Sequence, residues 1–380
     1  MTAPAAVAAE PVAEEPATPS TTARTLRRLR AALVAGSLLT GALCVVVSSQ
    51  AHAGAEAAGE RAAPAVLRAE AAYAALVDAQ RMAVHGFRQG TVLLGGLGDR
   101  YRNDIAAINQ NLAELAGYNA AGPAAAGDLQ VIEGLVVDYN AEIEQAAADY
   151  QQTGELAHAL PALWYAGLEY QEISGRLDRL RQEEKAALTD RRDSVWLAGA
   201  ADLLFLVPFA LVLALFAWTQ LVLRRRFRRR VSPWLAAAVL ALTATALWCG
   251  QSLHGSDGRL RSALDGPFVE AVTLAQQQAG RSAAEAEAGL FALVAPACPT
   301  TTRPCGTHLT PPASEPATVE TEQEGRQQAQ AEVAFTDDVT KVDADFPLRQ
   351  VIVVALPLAA AVAAVFALHR RIGEYRFGGR

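Results

Sequence analysis

The chain has 380 residues and a net charge of −7, and 52% of its residues are hydrophobic although only 6% are aromatic. The apolar residues are therefore mostly Ala, Leu and Val, a mixture that favours helices because Ala and Leu lose little entropy in a helix. Strand signals are absent, so the composition argues against a β-sheet protein, and the length allows two or three domains.

Four apolar runs are long enough to cross a bilayer, which takes about 20 residues. They cover residues 31–49, 195–223, 234–250 and 350–368. The third and fourth runs are short and rich in Ala, and for each run the alternative is a helix buried in a soluble core. Four such runs in one chain favour the membrane, so we predict an all-α membrane protein with four transmembrane helices.

Arginine clusters beside these runs set the predicted orientation, because Lys and Arg near the ends of a span stay in the cytoplasm. Four arginines lie in the tail 1–30 and four in the tail 369–380. The loop 224–233 holds six more, namely Arg224, Arg225, Arg226, Arg228, Arg229 and Arg230. Both termini are therefore expected in the cytoplasm, and the acidic regions 50–194 and 251–349 outside it, in a multi-pass protein of the plasma membrane.

Two readings of these features stay open. The six arginines could bind nucleic acid, but we interpret them as a topology anchor that also touches anionic lipid headgroups. The sequence Ala51-His52-Ala53 after the first run resembles the cleavage site of a signal peptide. The run is longer than a usual signal core, which favours an uncleaved signal anchor. Cleavage would remove residues 1–53 and leave three spans.

Region 50–194 has the pattern of a helical bundle. Its apolar residues recur at alternating steps of three and four in four stripes, which is typical of helices with one buried face. The stripes start at Val66, Tyr101, Leu129 and Leu163 and are separated by Gly-containing breaks. Short connections predict an antiparallel four-helix bundle. Because its first and last helices would continue into spans one and two, a shift in the bundle could reach the cytoplasmic side.

Region 251–349 is predicted to be a second, mostly helical extracytoplasmic loop. A Pro- and Thr-rich stretch within it contains Cys298 and Cys305. Outside the cytoplasm two such cysteines are expected to oxidise to a disulfide. The alternative is a metal site with His308, but three donors between prolines make a poor zinc site. The other two cysteines, Cys44 and Cys249, fall within spans one and three and are interpreted as packing residues.

The chain shows no Gly-rich phosphate loop, no H-E-x-x-H and no G-x-S-x-G motif. The cytoplasmic segments are too short to fold a kinase, so we expect no enzymatic activity, no cofactor and no metal. Asp202 is the one ionisable residue within a span and therefore a functional candidate, although a position about two turns from the outer end also allows headgroup contact. A transporter is disfavoured, because the spans lack paired polar residues and an inverted repeat.

Four local strings resemble a known family: AYAALVDAQRMAVHGFRQG at 72–90, RYRNDIAAI at 100–108, GLVVDYNAEI at 134–143 and HRRIGEYR at 369–376. In these strings and in its layout, the chain resembles the four-span membrane component (GlnX-type) of the actinobacterial amino-acid sensing system. That system pairs a solute-binding lipoprotein with the soluble Ser/Thr kinase PknG. Gln80, Arg81 and Met82 depart from the small residues expected there, and the acidic N-terminal tail is a second departure.

The resemblance implies a non-enzymatic relay in which the lipoprotein reports aspartate, glutamate or glutamine outside and the kinase responds inside. It adds candidate relay or contact residues at a bundle surface or junction and in the closing tail: Asp78, Arg100, Tyr101, Asp104, Glu374, Tyr375 and Arg376. The alternative for the bundle residues is that Tyr101 is core and the charges are solvated. The alternative function is a membrane scaffold for envelope or secretion proteins. The ligand and the oligomeric state stay open.

Overall fold

A computed structural model describes residues 21–196, 198–227, 233–294, 322–343 and 346–377. Each element in these ranges is helical. The α-helices are α1 (Thr21–Glu56), α2 (Ala63–Gln89), α3 (Val92–Gly95), α4 (Gly98–Tyr118), α5 (Pro123–Thr153), α6 (Leu156–Trp196), α7 (Ala198–Phe227), α8 (Pro233–Ala263), α9 (Val269–Val294), α10 (Glu322–Asp343) and α11 (Phe346–Phe377). Two π-helical segments complete the fold, π1 (Ala57–Ala62) between α1 and α2 and π2 (Leu264–Phe268) between α8 and α9.

The chain divides into two compact units. The apolar unit comprises Met1–Val47, Asp202–Gly250 and Gln350–Arg380, and the large unit comprises Ser48–Ala201 and Gln251–Arg349. Each unit therefore gathers segments that are far apart in sequence.

In the apolar unit, three of the described helices are long and apolar enough to cross a membrane. Their apolar windows lie within Arg27–Gln89, Pro233–Gln251 and Gln350–Ala367. The predicted second run appears as a shorter described apolar stretch, Leu206–Leu221, within α7. Small residues allow close packing here, since a Cβ added at Gly41 would lie 2.8 Å from a side-chain carbon of a proline on α11.

In the large unit, helices α2, α4, α5, α6 and α9 contribute to one apolar core. The stripes predicted on α4, α5 and α6 face this core, and its largest fully buried side chains include Tyr101, Tyr139 and Phe87. The predicted breaks end helices as expected, because Gly90 and Gly154 close α2 and α5 in the left-handed conformation that glycine adopts without strain.

Helix α9 packs along α2, a contact that the sequence pattern does not predict. Leu290, Leu293 and Val294 of α9 lie in the same core as the helices of region 50–194. The two backbones approach closely at Gly289, where an added Cβ would meet Val84 Cγ1 at 2.6 Å. The core therefore draws on the second predicted outer region as well as the first.

The two π segments meet in a second, smaller apolar cluster of the large unit, here called the junction cluster. Its buried members come from π1, α2, α6, α8, π2, α9 and α10, and they are Ala58, Ala62, Ala63, Val66, Leu188, Ala263, Leu264, Phe268, Val272 and Phe335. Phe268 and Phe335 are in ring contact, with centroids 5.4 Å apart. Single π turns inside helices occur frequently at functional sites.

Candidate functional site

Helix α2 carries the candidate site, because it contacts α4, α6 and α9 and presents charged side chains to all three. The first group of charges is here called the acidic pair cluster and consists of Asp78, Arg81, Arg100, Asp104 and Glu285. Arg81 lies 3.1 Å from an Asp78 carboxylate oxygen and 3.6 Å from a Glu285 oxygen on α9. Arg100 of α4 is 3.9 Å from Asp78. Three predicted residues are therefore brought together here.

Asp104 is the unusual member of this cluster. Its Oδ2 atom is buried and has no hydrogen-bond partner among the described residues. Burial, together with repulsion from the Asp78 carboxylate, raises the pKa of Asp104 from its ordinary value of 3.8 to about 6, although Arg100 and Arg81 act in the opposite direction. The carboxyl group therefore changes charge close to neutral pH.

This raised pKa predicts a pH dependence of stability. The folded protein holds the Asp104 proton more tightly than the unfolded chain, so the contribution of this group is largest below pH 3.8 and is lost as pH rises through about 6. We expect Asp104→Asn to flatten the decline in the free energy of unfolding between pH 4 and pH 7. Chemical denaturation of the detergent-solubilised chain at a series of pH values measures the free energy of unfolding of both proteins.

Asp99→Asn is the matched control, because Asp99 lies on the same helix with a side chain that is 89% exposed. Its pH profile should follow that of the wild type. If the pH profile of Asp104→Asn also overlays that of the wild type, the raised pKa of Asp104 is contradicted.

A buried polar network lies beside the acidic pair cluster. The Tyr139 hydroxyl donates to Gln80 Oε1 at 2.8 Å, and the Tyr101 hydroxyl donates to Asn140 Oδ1 at 3.1 Å. Burial raises the pKa of both phenols above the usual range, so both remain protonated donors. Tyr101 is therefore a core residue, as the alternative reading held, and the bulky Gln80 supplies an acceptor that a small residue could not.

A second charged group, here called the buried ion cluster, centres on Glu70 of α2, which is 2% exposed. Glu70 Oε1 accepts from Lys185 Nζ at 2.7 Å and from Gln276 Nε2 at 2.8 Å, while Arg181 Nε lies 3.1 Å from Oε2. The Arg181 guanidinium also lies 4.2 Å from the centre of the Tyr73 ring. One carboxylate thus connects α2 with α6 and α9.

The buried ion cluster could have been suspected from two local signals. Glu70 falls in the apolar stripe of α2 between Val66 and Tyr73, and Arg181 and Lys185 are four residues apart on one face of α6. An acid within an apolar stripe indicates a buried charge with a partner. The spacing alone, however, does not say which helix supplies that partner.

The remaining predicted residues lie on α7 and α11 or outside the described residues. Asp202, Arg224, Arg225 and Arg226 lie on α7, and Glu374, Tyr375 and Arg376 lie on α11; the roles expected of their side chains stay predictions. Arg228, Arg229, Arg230, Cys298 and Cys305 lie outside the described residues. Within the described ranges, no group of three or more His, Cys, Asp or Glu side chains is arranged to hold a metal ion.

Comparison with known family models gives one match, which lies within the large unit. Residues 54–193 match the model of the actinobacterial sensor domain. The match covers π1 and the helices from α2 to α5, together with most of α6, and so includes the α2, α4 and α6 members of both charged clusters. No curated protein and no solved structure gives a significant match. The family match supports an actinobacterial sensor protein with a sensing or signalling role, and together with three apolar helices it supports a membrane location.

Proposed function

We propose that this chain is a transmembrane signal relay without enzymatic activity of its own. Four helices cross the plasma membrane, both termini are cytoplasmic and the large unit lies outside. The input is a solute-binding lipoprotein that reports extracellular amino-acid supply, and the output is a cytoplasmic Ser/Thr kinase. The sensor-domain match and the apolar helices support the sensing role. The local strings that resemble the GlnX-type component suggest the two partners.

The observation that carries this proposal is the position of the π segments. Helical structure continues from α1 through π1 into α2, and from α8 through π2 into α9. In both cases the chain passes from the apolar unit into the large unit along an unbroken series of helical elements. A π turn holds one residue more than the α-helical repeat, so exchange between π and α geometry changes the local hydrogen-bond register. A relay requires an element with two arrangements, and in this proposal each π segment is that element.

The contacts of the junction cluster couple the two π segments to the rest of the large unit. Both contribute apolar side chains to it, and α6 adds Leu188. Arg191 Nη1 of α6 donates to the Ala57 carbonyl in π1 at 3.4 Å, and its Nη2 donates to the Ala120 carbonyl at 3.2 Å. A change in the packing of α6 or α9 therefore acts on π1 and π2 through direct contacts.

Deletion of Gly59, a buried residue of π1, tests the relay. Removing one residue from a π turn restores the α-helical repeat while the flanking helices keep their faces. We expect the variant to reach the membrane in normal amounts but to stay in one signalling state. Phosphorylation of the kinase's substrates would then no longer change when glutamate or glutamine is added to cells.

Glu60→Ala is the matched control, because Glu60 is an exposed residue of the same π segment and its replacement keeps the segment's length. This variant should respond as the wild type does. A normal response from the Gly59 deletion would show that π1 is not part of the relay.

A further inference from the structure

Two of the four cysteines meet inside the apolar unit. Cys44 on α1 and Cys249 on α8 are 205 positions apart, yet their sulfur atoms are 2.6 Å apart. Both side chains are fully buried. The sequence pattern suggested two independent packing residues. Packing alone does not require the two sulfur atoms to be in contact.

The contact lies close to where both helices leave the apolar unit. Cys44 is within one turn of Val47, the last residue of the unit's first segment, and Cys249 is next to Gly250, the last residue of its second. From these points the chain continues into the large unit. On the proposed topology, on which this step rests, that end of each helix faces the extracytoplasmic side, where disulfides form and persist.

A structural zinc site does not account for the pair. Two thiolates are too few ligands for a structural zinc ion, which takes four. Among the described residues, no third His, Cys, Asp or Glu completes a metal-binding group around them.

We propose that Cys44 and Cys249 form a disulfide bond that ties α1 to α8. The oxidant is a protein or small-molecule disulfide on the extracytoplasmic side. One cysteine thiolate attacks it and releases the first thiol, and the second cysteine then attacks the mixed disulfide and releases the other. The two cysteines lose two electrons and two protons, and the oxidant's disulfide is reduced to two thiols. Because neither side chain is exposed in the folded chain, the reaction takes place before the helices close around the pair.

The bond would constrain the two helices that carry the π segments. With α1 and α8 joined close to their exits from the apolar unit, neither can slide along the other at that level. The helices that lead into π1 and π2 then move together.

The experiment counts thiols in the full chain with Cys298→Ser and Cys305→Ser, which leaves Cys44 and Cys249 as its only cysteines. Membranes are denatured in SDS with excess N-ethylmaleimide, so that buried free thiols are alkylated, and the reagent is then removed. The samples are treated with or without reductant, freed of it and labelled with maleimide-polyethylene glycol. The expected result is two labels after reduction, none without it, and a monomer on a non-reducing gel. If neither sample carries a label, both thiols were free when alkylated and the proposal is overturned. A disulfide-linked dimer on the non-reducing gel would also overturn it.

Two controls interpret the count. Adding Cys44→Ser leaves Cys249 without its proposed partner, so no label should appear in either sample. Separately, Glu155→Cys in a chain without its four native cysteines tests the topology, because Glu155 is exposed on the large unit. Labelling of this cysteine in intact cells by a membrane-impermeant maleimide places the large unit outside. If it is labelled while Cys44 and Cys249 are reduced, the disulfide fails and the topology stands; if it is not labelled, the topology of the proposed function fails.

Discussion

Glu70→Ala is expected to lower the free energy of unfolding by about 3–5 kcal/mol, the cost of breaking a buried ion pair by removing one partner. The variant removes the buried carboxylate partner of Lys185 and of the Arg181 guanidinium, which is 12% exposed and keeps the more exposed Asp178 at 3.3 Å. It also removes the acceptor of the Gln276 amide on α9. Chemical denaturation of the full chain in detergent, followed by circular dichroism, measures the change.

Glu114→Ala is the matched control for this prediction. Glu114 pairs with Arg68 at 2.8 Å, but both side chains are more than one-third exposed. Such surface pairs contribute about 0–1 kcal/mol, so the control should change stability little. Equal effects of Glu70→Ala and Glu114→Ala would show that the buried ion cluster does not hold α2, α6 and α9 together.

The second large effect is expected at Gly289, where α9 approaches α2 closely. Gly289→Ala places a Cβ 2.6 Å from Val84 Cγ1, so one of the two helices must shift. Overpacking of this kind costs about 1–3 kcal/mol, and we expect it to exceed the gain in helix propensity of about 1 kcal/mol that Ala has over Gly. Gly289→Leu should displace α9 from α2 altogether. Thermal and chemical denaturation of the full chain measure both variants.

The same substitution at Gly134 should have the opposite sign. Gly134 lies on the exposed face of α5, and a Cβ added there meets nothing within 4 Å. Gly134→Ala should therefore raise stability by about 0.5–1 kcal/mol through helix propensity alone. If Gly289→Ala stabilised the protein as much as Gly134→Ala, the close contact between α9 and α2 would be wrong.

The part of this fold that the sequence predicts is local. Tyr139 and Ile143 of α5 were expected to be buried because a helical period of 3.6 places them on one face, and both are buried. The break at Gly154 was expected because glycine readily takes the left-handed conformation that closes a helix. Each feature is decided by a few neighbouring residues.

What the sequence does not predict depends on pairs of distant residues. An apolar face on α9 shows that the helix is buried on one side but does not say that α2 covers it. The partners of Glu70, and the contact between Cys44 and Cys249, likewise join residues separated by 100 positions or more. The segment 57–62 is rich in Ala and Gly and has too weak an apolar period to distinguish π from α geometry.

The sequence predicts the candidate site only in part. Asp78, Arg100 and Asp104 were singled out by the family resemblance, and the structure brings them together at the contact of α2 with α4. Arg81 was regarded only as a departure from the family, yet it connects this group to Glu285 on α9. Its role depends on the packing of α9, which no local pattern reveals.

Affinity purification of the full chain from mildly cross-linked membranes, with mass spectrometry of the proteins that accompany it, tests the proposed relay most directly. The relay predicts recovery of a solute-binding lipoprotein together with a cytoplasmic Ser/Thr kinase. Recovery of neither, with envelope or secretion proteins in their place, would contradict it and favour a membrane scaffold.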